Sequence, residues 1–291
     1  MSLKIPKTVC KMAWLALVLL AVPRVAAADS ISVRFAFTLI HQGQVGVVLI
    51  TGTDLTSATA TAMGHDYACF PVTQGTACLL AVPMDQPIKD YPLSIVMIPK
   101  SGSVITWNST FTVAAGQFIS EIVTLPGNLA YLLRDDVEAN ENARLASAYS
   151  MITPTRYWEN KWVLPLVGAP GSPFGTKRLY NGSIARRHAG QDMHAALGTP
   201  VLAAASGRVV LSRQMDIHGN SIVIDHGWGI YSEYAHFSRR YVVPGQLVSQ
   251  GDVIGLSGSS GRSTGPHIHW EVSVDGIMTD PTAFMQLALP S

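Results

Sequence analysis

Charged side chains are scarce in this sequence, and their charges nearly cancel. They make up 13% of the 291 residues, against about 25% in typical soluble proteins. The net charge of +1 excludes a strongly basic nucleic-acid-binding protein. Three cysteines are too few for a disulfide-dense scaffold or for a zinc site built from four thiolates. The length suggests two domains of about 150 residues each.

Long apolar runs are also lacking, except for one near the N-terminus. Three lysines precede the apolar run Met12–Val22, and Ala26-Ala27-Ala28 follows it. This pattern predicts a signal peptide over residues 1–28, cleaved before Asp29. The alternative is an uncleaved anchor helix, but the run is short for a span of about 20 residues. We therefore expect an exported protein with no stable membrane anchor after cleavage.

Export makes a disulfide possible between the two cysteines beyond the signal peptide. Cys69 and Cys78 lie in two β-prone runs that flank the turn signal Thr73-Gln74-Gly75. A hairpin would place them on facing strands, where an oxidising compartment lets them pair. The alternative is two small buried residues. We predict a structural disulfide between Cys69 and Cys78.

The pattern of the chain changes three times after the signal peptide. Residues 29–127 alternate apolar and polar positions in short runs, which predicts a small antiparallel β-sandwich. Residues 128–172 form a helical linker followed by a loop, with a helix over 128–150 whose charged residues face solvent. Residues 173–286 return to a glycine-rich β pattern without helices for βαβ units, so a mostly antiparallel sheet is expected. The chain should be mainly β. Four aromatic residues around the loop are expected to be buried: Trp158, Trp162, Phe174 and Tyr180.

Histidine is concentrated near the C-terminus, where three short motifs contain it. The motifs are His188-Ala189-Gly190-Gln191-Asp192, Tyr234-Ala235-His236 and His267-Ile268-His269. Side chains two residues apart share one face of an extended strand, so each end motif can present a pair of groups. Imidazole and carboxylate without thiolate suit zinc, and three protein ligands leave the fourth position for water.

The segments around these motifs resemble a known family. HAGQD, GTPVLAAASGRVV, GNSIVIDHGWGIYSEYAHFS and VPGQLVSQGDVIGLSGSSGRSTGPHIHWEV are similar to LytM/lysostaphin-like zinc metallopeptidases, the M23 peptidase family. The resemblance runs from about Phe174 to Pro281. The N-terminal region more loosely resembles the Ig-like β-sandwich that precedes this domain in some exported bacterial members.

The resemblance implies a role for each motif residue. His188, Asp192 and His269 match the ligands of one zinc ion per chain. His236 and His267 match the two catalytic histidines. Our hypothesis is that His267 accepts the water proton and His236 hydrogen-bonds the developing oxyanion, and the sequence does not fix this division of roles. The implied substrate is the peptide part of peptidoglycan, and the implied reaction is hydrolysis of an amide in a stem or cross-bridge peptide. The periplasm or cell envelope is the expected location.

Residues around the motifs allow more than one interpretation. Tyr180 and Asn181 either line the substrate groove or serve turn and packing roles. His194 is expected at the rim, His218 exposed beside a turn, and His226 hydrogen-bonded in a turn. The complete ligand set argues against a non-catalytic envelope regulator that activates another wall hydrolase. A secreted bacteriocin is a further alternative, and no recognisable wall-targeting repeat supports it.

Overall fold

A computed structural model describes residues 31–52, 54–159 and 161–290. The predicted signal peptide lies outside the described residues. Within them, no helix is both long and apolar enough to cross a membrane. The chain is mainly β, with an N-terminal β-sheet domain, a short helix and an antiparallel C-terminal domain, which confirms the predicted fold class.

The N-terminal domain contains eight strands that pair in the order β1-β3-β6-β5-β4-β7-β8-β2. Their bounds are β1 Ser32–Phe35, β2 Leu39–His41, β3 Val45–Thr51, β4 Leu55–Ala62, β5 His65–Val72, β6 Gly75–Ala81, β7 Asp90–Pro99 and β8 Ile105–Ala114. Alternation in the sequence produces the buried face. In β7, Tyr91, Leu93, Ile95 and Met97 are buried, and their neighbours are more exposed. The Ig-like resemblance of this domain stays a prediction.

A disulfide joins the middle of this sheet. Strands β5 and β6 form the expected hairpin, and Cys69 lies directly opposite Cys78 in its register. The two sulfur atoms are bonded to each other. Cys78 is fully buried in the domain core.

The junction contains one strand and two short helices. Their bounds are β9 Ser120–Val123, a 3-10 helix Gly127–Leu133 and α1 Asp135–Ala148. The predicted single helix is therefore interrupted at Arg134, whose backbone is extended. The prediction that its charges face solvent is wrong for Glu141, which is completely buried in α1. The four aromatic residues expected to be buried around the loop are all at most 5% exposed, which confirms that expectation.

The C-terminal domain is built around one antiparallel sheet with the order β10-β13-β21-β17-β16-β15-β19, and β22 pairs with β21. The bounds are β10 Ala169–Pro170, β11 Lys177–Tyr180, β12 Ile184–Arg187, β13 Gln191–His194, β14 Pro200–Leu202, β15 Gly207–Gln214, β16 Asn220–Gly227, β17 Ile230–Phe237, β18 Arg239–Arg240, β19 Leu247–Val248, β20 Val253–Leu256, β21 His267–Val274, β22 Ile277–Thr279 and the helix α2 Pro281–Phe284. The central strands β16, β17 and β21 are buried on both faces.

Two smaller sheets complete the structure. Strands β14, β20 and β18 pair with one another, and β12, β11 and β9 form the other sheet. In that sheet, β9 of the junction runs parallel to β11 of the C-terminal domain, with Glu121 opposite Arg178. The junction is thereby hydrogen-bonded to the domain that carries the histidine motifs.

Candidate metal centre

The register of two neighbouring strands brings two of the histidine motifs together. Strands β13 and β21 are antiparallel, and Asp192 lies directly opposite His269. Residues opposite each other share one face of the sheet. His188 reaches the same face from the turn that precedes β13. That turn requires Gly190, because a Cβ atom there would lie 2.4 Å from the carbonyl oxygen of Trp270.

Three ligand atoms converge at this point. His188 Nε2 lies 3.0 Å from Asp192 Oδ1 and 2.8 Å from His269 Nδ1. Asp192 Oδ1 lies 2.9 Å from His269 Nδ1. Tetrahedral zinc with ligands at about 2.0–2.1 Å spaces its ligand atoms about 3.3 Å apart, so this group fits the ion to within a few tenths of an ångström. All three residues are buried.

Each ligand is held by a partner behind it. His188 Nδ1 donates a hydrogen bond to the carbonyl oxygen of Pro173 at 2.9 Å. His269 Nε2 donates to Glu271 at 2.8 Å. Arg178 donates to the outer oxygen of Asp192. Such partners fix the tautomer and the orientation of metal-binding groups.

The carboxylate of the group is ionised. Burial alone would raise the pKa of Asp192, but hydrogen bonds and charge from His188 and His269 hold that pKa well below its usual range. The donor set is thus two imidazoles and one carboxylate, without thiolate. It matches the three-ligand pattern of catalytic zinc, which leaves one coordination position for water.

Two further histidines lie beside this group. The His236 and His267 rings are 4.6 Å apart between centroids, and His267 Nε2 is 3.8 Å from Asp192 Oδ1. His236 Nδ1 donates to the carbonyl oxygen of Ser260 at 2.7 Å, and His267 Nδ1 donates to that of Gly265 at 2.8 Å. Burial lowers the pKa of both rings. The loop between β20 and β21 thus supplies both carbonyl acceptors, and each neutral ring keeps Nε2 as a proton acceptor.

Comparison with known proteins identifies the domain. Residues 186–281 match the sequence model of peptidase family M23. The chain carries an M23 peptidase domain. This result confirms the family resemblance of the histidine segments.

Curated relatives resemble the chain over this domain. ShyA, a peptidoglycan DD-endopeptidase of Vibrio cholerae, is 40% identical over 121 residues, which are 40% of this chain and 26% of that protein. Mpg, a DD-carboxypeptidase/endopeptidase of Neisseria meningitidis, is 39% identical over 120 residues, which are 41% of this chain and 27% of that protein. The similar region thus spans about a quarter of each of these relatives.

A solved structure resembles nearly the whole described chain. The crystal structure of a peptidase M23 from Pseudomonas aeruginosa superposes with a TM-score of 0.64 at 25% identity. The match covers 84% of this chain and 93% of that one. The similarity therefore extends from the M23 domain into the N-terminal β-sheet domain.

A cavity of about 590 Å³ lies between the M23 domain and the junction helix α1. His188, His236 and His269 line its floor, and Leu145 and Tyr149 line the side formed by α1 and its C-terminal end. A second cavity of about 490 Å³ lies between β9 and the loop that precedes His267. Both cavities that adjoin the candidate metal centre thus lie between the junction and the M23 domain.

Tyr180 and Asn181 lie at the C-terminal end of β11, and of the two only Tyr180 lines the cavities. Tyr180 lines the two cavities, is 3% exposed and packs with Leu125 and Leu133. Asn181 adopts a positive φ of 49° in a turn, and its Oδ1 accepts a hydrogen bond from the Leu125 amide. These contacts give both residues packing and turn roles, and substrate binding by them stays a prediction.

The other three C-terminal histidines lie outside the ligand group. His194 is exposed on β13, in line with a rim position. His226 is buried in β16 and bonded to Ser206 and Ser232. The expectation that His218 is exposed is wrong, because Glu141 of α1 covers it and binds its Nδ1. The turn after His218 lies under the junction rather than in solvent.

Three side chains that support the site were not anticipated from the sequence. Glu271 follows His269 by two residues, so strand alternation could have placed it on the same face. Arg178 reaches Asp192 only through the pairing of distant strands, for which the sequence holds no local signal. Glu141 resembles the exposed charges of its own helix, which concealed its contact with His218.

Proposed function

We propose that the protein is an exported zinc metalloendopeptidase that hydrolyses peptide bonds in the peptide part of peptidoglycan. One observation carries this proposal. Three ligand atoms of His188, Asp192 and His269 converge, and the His236 and His267 rings lie beside them with each Nδ1 bonded to a backbone carbonyl oxygen. The M23 relatives ShyA and Mpg, a peptidoglycan DD-endopeptidase and a DD-carboxypeptidase/endopeptidase, favour cross-link peptides as the substrate.

His188, Asp192 and His269 would hold the zinc ion. When bound, zinc lowers the pKa of water toward about 7 and polarises a carbonyl group. These effects overcome the low reactivity of water as a nucleophile and of the amide carbonyl as an electrophile. The protein holds the ligands in place and provides their buried surroundings. Arg178 and Glu271 keep the ligands in place, and the buried surroundings strengthen the attraction between the ligands and a cation.

Proton transfer falls to His267. Its Nδ1–H is engaged with Gly265, so its Nε2 accepts the proton of the attacking water and later delivers it to the leaving amine. His236 has the same arrangement, with Nδ1 engaged by Ser260. It can stabilise the developing negative charge on the carbonyl oxygen by donating a hydrogen bond only after its ring has gained a second proton.

Digestion of purified sacculi, followed by mass spectrometry of the released peptides, tests the proposal and identifies the bond cut. His267→Ala should keep stoichiometric zinc and lose about 10²- to 10⁴-fold in rate, because it removes the proton acceptor. Asp192→Ala and His269→Ala should lose both zinc and activity. His194→Ala is the matched control, since this histidine lies opposite His267 in the sheet but outside the group. It should change neither property.

Two outcomes would contradict the proposal. Full hydrolysis by zinc-loaded His267→Ala would remove this histidine from the reaction. Absence of cleavage by the zinc-loaded wild type would instead favour the regulator that activates another wall hydrolase. A chelator should abolish cleavage, and added zinc should restore it.

A further inference from the structure

A row of titratable side chains, three of them buried, runs from the candidate metal centre to the junction helix. It begins at His269, continues through Glu271 and His218, and ends at Glu141 in the middle of α1. Burying charges is costly unless each one is paired. The family assignment gives three of these residues no role in binding the metal or cleaving the peptide.

Glu271 is the nearest member to the metal ligands. Its Oε1 accepts the hydrogen bond of His269 Nε2, and its side chain is only 4% exposed. A carboxylate in this position orients the imidazole and raises its basicity toward a metal at the opposite nitrogen. His269 Nδ1 is the atom that faces His188 and Asp192.

His218 links Glu271 to the helix. Its Nε2 lies 3.6 Å from Glu271 Oε1, and its Nδ1 lies 2.5 Å from Glu141 Oε1. Burial would lower the pKa of His218, but Glu233, Glu141 and Glu271 raise that pKa well above its usual range. His218 is therefore held between the carboxyl groups of Glu141 and Glu271.

Glu141 closes the row and fixes the turn that carries His218. Besides the His218 ring, its carboxylate accepts the backbone amides of Ile217 and His218 at 2.7 and 2.8 Å. The carbonyl oxygen of His218 in turn accepts the amide of His236 at 2.8 Å. The junction helix thus supports the turn beside both His236 and Glu271.

His218, His269 and Glu271 could also be interpreted as a second metal site, since their ligand atoms lie within 4.8 Å of one another. The hydrogen-bond partners of the two His269 ring nitrogens argue against that interpretation. When His269 Nδ1 binds the first metal, Nε2 carries the ring proton and donates it to Glu271. Nε2 then has no lone pair for another cation.

We propose that Glu271, held by His218 and by Glu141 of the junction helix, is a positioning residue that fixes His269 as an Nδ1 ligand of the metal. The proposal rests on the metal site of the proposed function. It predicts that a residue on a helix outside the M23 match sets the metal affinity of the M23 domain.

Zinc affinity of the full chain, measured by competition with a chromogenic chelator, tests this role. Glu271→Gln keeps the size of the side chain and removes the charge, and it should weaken zinc binding about 10- to 100-fold. Glu141→Gln should weaken binding in the same direction but less, because it acts through His218. Glu138→Gln is the matched control, since Glu138 lies one turn earlier on α1 and pairs with Arg186 instead. It should leave the zinc affinity unchanged.

A pair of substitutions at His218 separates positioning from simple stability. His218→Asn retains a donor near the Nδ1 position for Glu141 and loses the contact with Glu271, whereas His218→Gln can retain a donor near Nε2. We expect weaker zinc binding in His218→Asn than in His218→Gln. The His218 pair and Glu141→Gln keep the test decisive if Glu271→Gln does not fold.

Several results would overturn the proposal. One is unchanged zinc affinity in folded Glu271→Gln and Glu141→Gln, even with a lower melting temperature. Another is a wild-type stoichiometry of two zinc ions that falls to one in Glu271→Gln, which would establish a second metal site. Failure of the proposed function looks different, because the zinc affinities would follow the expected order while sacculi stay intact.

Discussion

At the residue scale, one hydrogen bond at each histidine decides which ring nitrogen is free. His188, His236 and His267 each direct Nδ1 at a backbone carbonyl and present Nε2. His269 is turned the other way, because Glu271 engages its Nε2. The partner behind each ring thus decides which nitrogen that ring can offer to a metal ion or a proton.

His226 shows a third use of histidine, as a neutral core residue. Its Nδ1 donates to the carbonyl oxygen of Ser206, its Nε2 accepts from the Ser232 hydroxyl, and the Trp162 ring packs against it. Burial lowers its pKa to about 4. The folded protein therefore keeps this ring uncharged at pH values where the unfolded chain protonates it.

This difference predicts a pH-dependent stability that His226 controls. Between pH 6.5 and about 4 the unfolded state binds a proton at His226 that the native state does not, so stability falls as the pH decreases through this range. The loss amounts to about 3 kcal/mol at most. In His226→Asn, the free energy of unfolding should fall by up to about 3 kcal/mol less than in wild type between pH 6.5 and about 4. Urea unfolding in the presence of a chelator measures this. Equal slopes in variant and wild type would contradict the assignment.

Sequence reasoning at this scale succeeded where spacing along one strand carries the information. The pair His267 and His269 share a face because they are two residues apart, and the burial of the aromatic residues followed from their apolar area. It failed for His218, because the turn signal beside it does not reveal that Glu141, 77 residues away, covers the ring. Contacts between distant elements have no local pattern.

At the element scale, the alternation of apolar and polar residues predicted most of the strands, whereas the sequence predicted the junction only in part. The repeating apolar positions predicted the N-terminal strands, and the lack of helices for βαβ units predicted the antiparallel C-terminal sheet. The junction helix was predicted as one element, but its first turns are a 3-10 helix that ends at Leu133, before the extended residue Arg134. The pairing of β9 with β11 could not be predicted, because a parallel pair joins segments more than 50 residues apart.

The hairpin of β5 and β6 allows a stability prediction for one element. The Cys69–Cys78 disulfide spans nine residues, and closing so short a loop stabilises a fold by about 2–3 kcal/mol in the chain-entropy model. We expect Cys69→Ala/Cys78→Ala to lose about this amount in urea unfolding. Wild type treated with dithiothreitol should lose a similar amount, and the double variant should not respond to the reagent. Equal stability of oxidised and reduced wild type would refute this.

At the scale of the whole molecule, the two β domains share one hydrophobic core. A single cluster of buried side chains includes Leu93 and Ile95 of the N-terminal sheet and Ile268 and Trp270 of the M23 domain. Polar contacts support the same interface. The amide of Asp280 donates to the carbonyl oxygen of Gly43, and His65 contacts Asp275 at 3.1 Å.

The stacked rings of Phe70 and Trp228 connect the two domains at this interface. Their centroids are 5.3 Å apart and their planes differ by 6°. Both side chains are at most 6% exposed. Aromatic pairs add about 0.5–1.5 kcal/mol to the burial of their area. The N-terminal sheet and the M23 domain should therefore unfold as one cooperative unit.

Phe70→Ala should break this cooperativity. Loss of a buried phenylalanine costs about 3–5 kcal/mol, and here the loss falls on the contact between the domains, so calorimetry should resolve two transitions in place of one. Trp228 should become accessible to acrylamide, and the additional quenching should vanish in Phe70→Ala/Trp228→Phe. Ile98→Ala is the control, since Ile98 lies on the same N-terminal sheet and is 44% exposed. A single unshifted transition in Phe70→Ala would mean that the domains are coupled through other contacts, and the junction helix would be the next element to test.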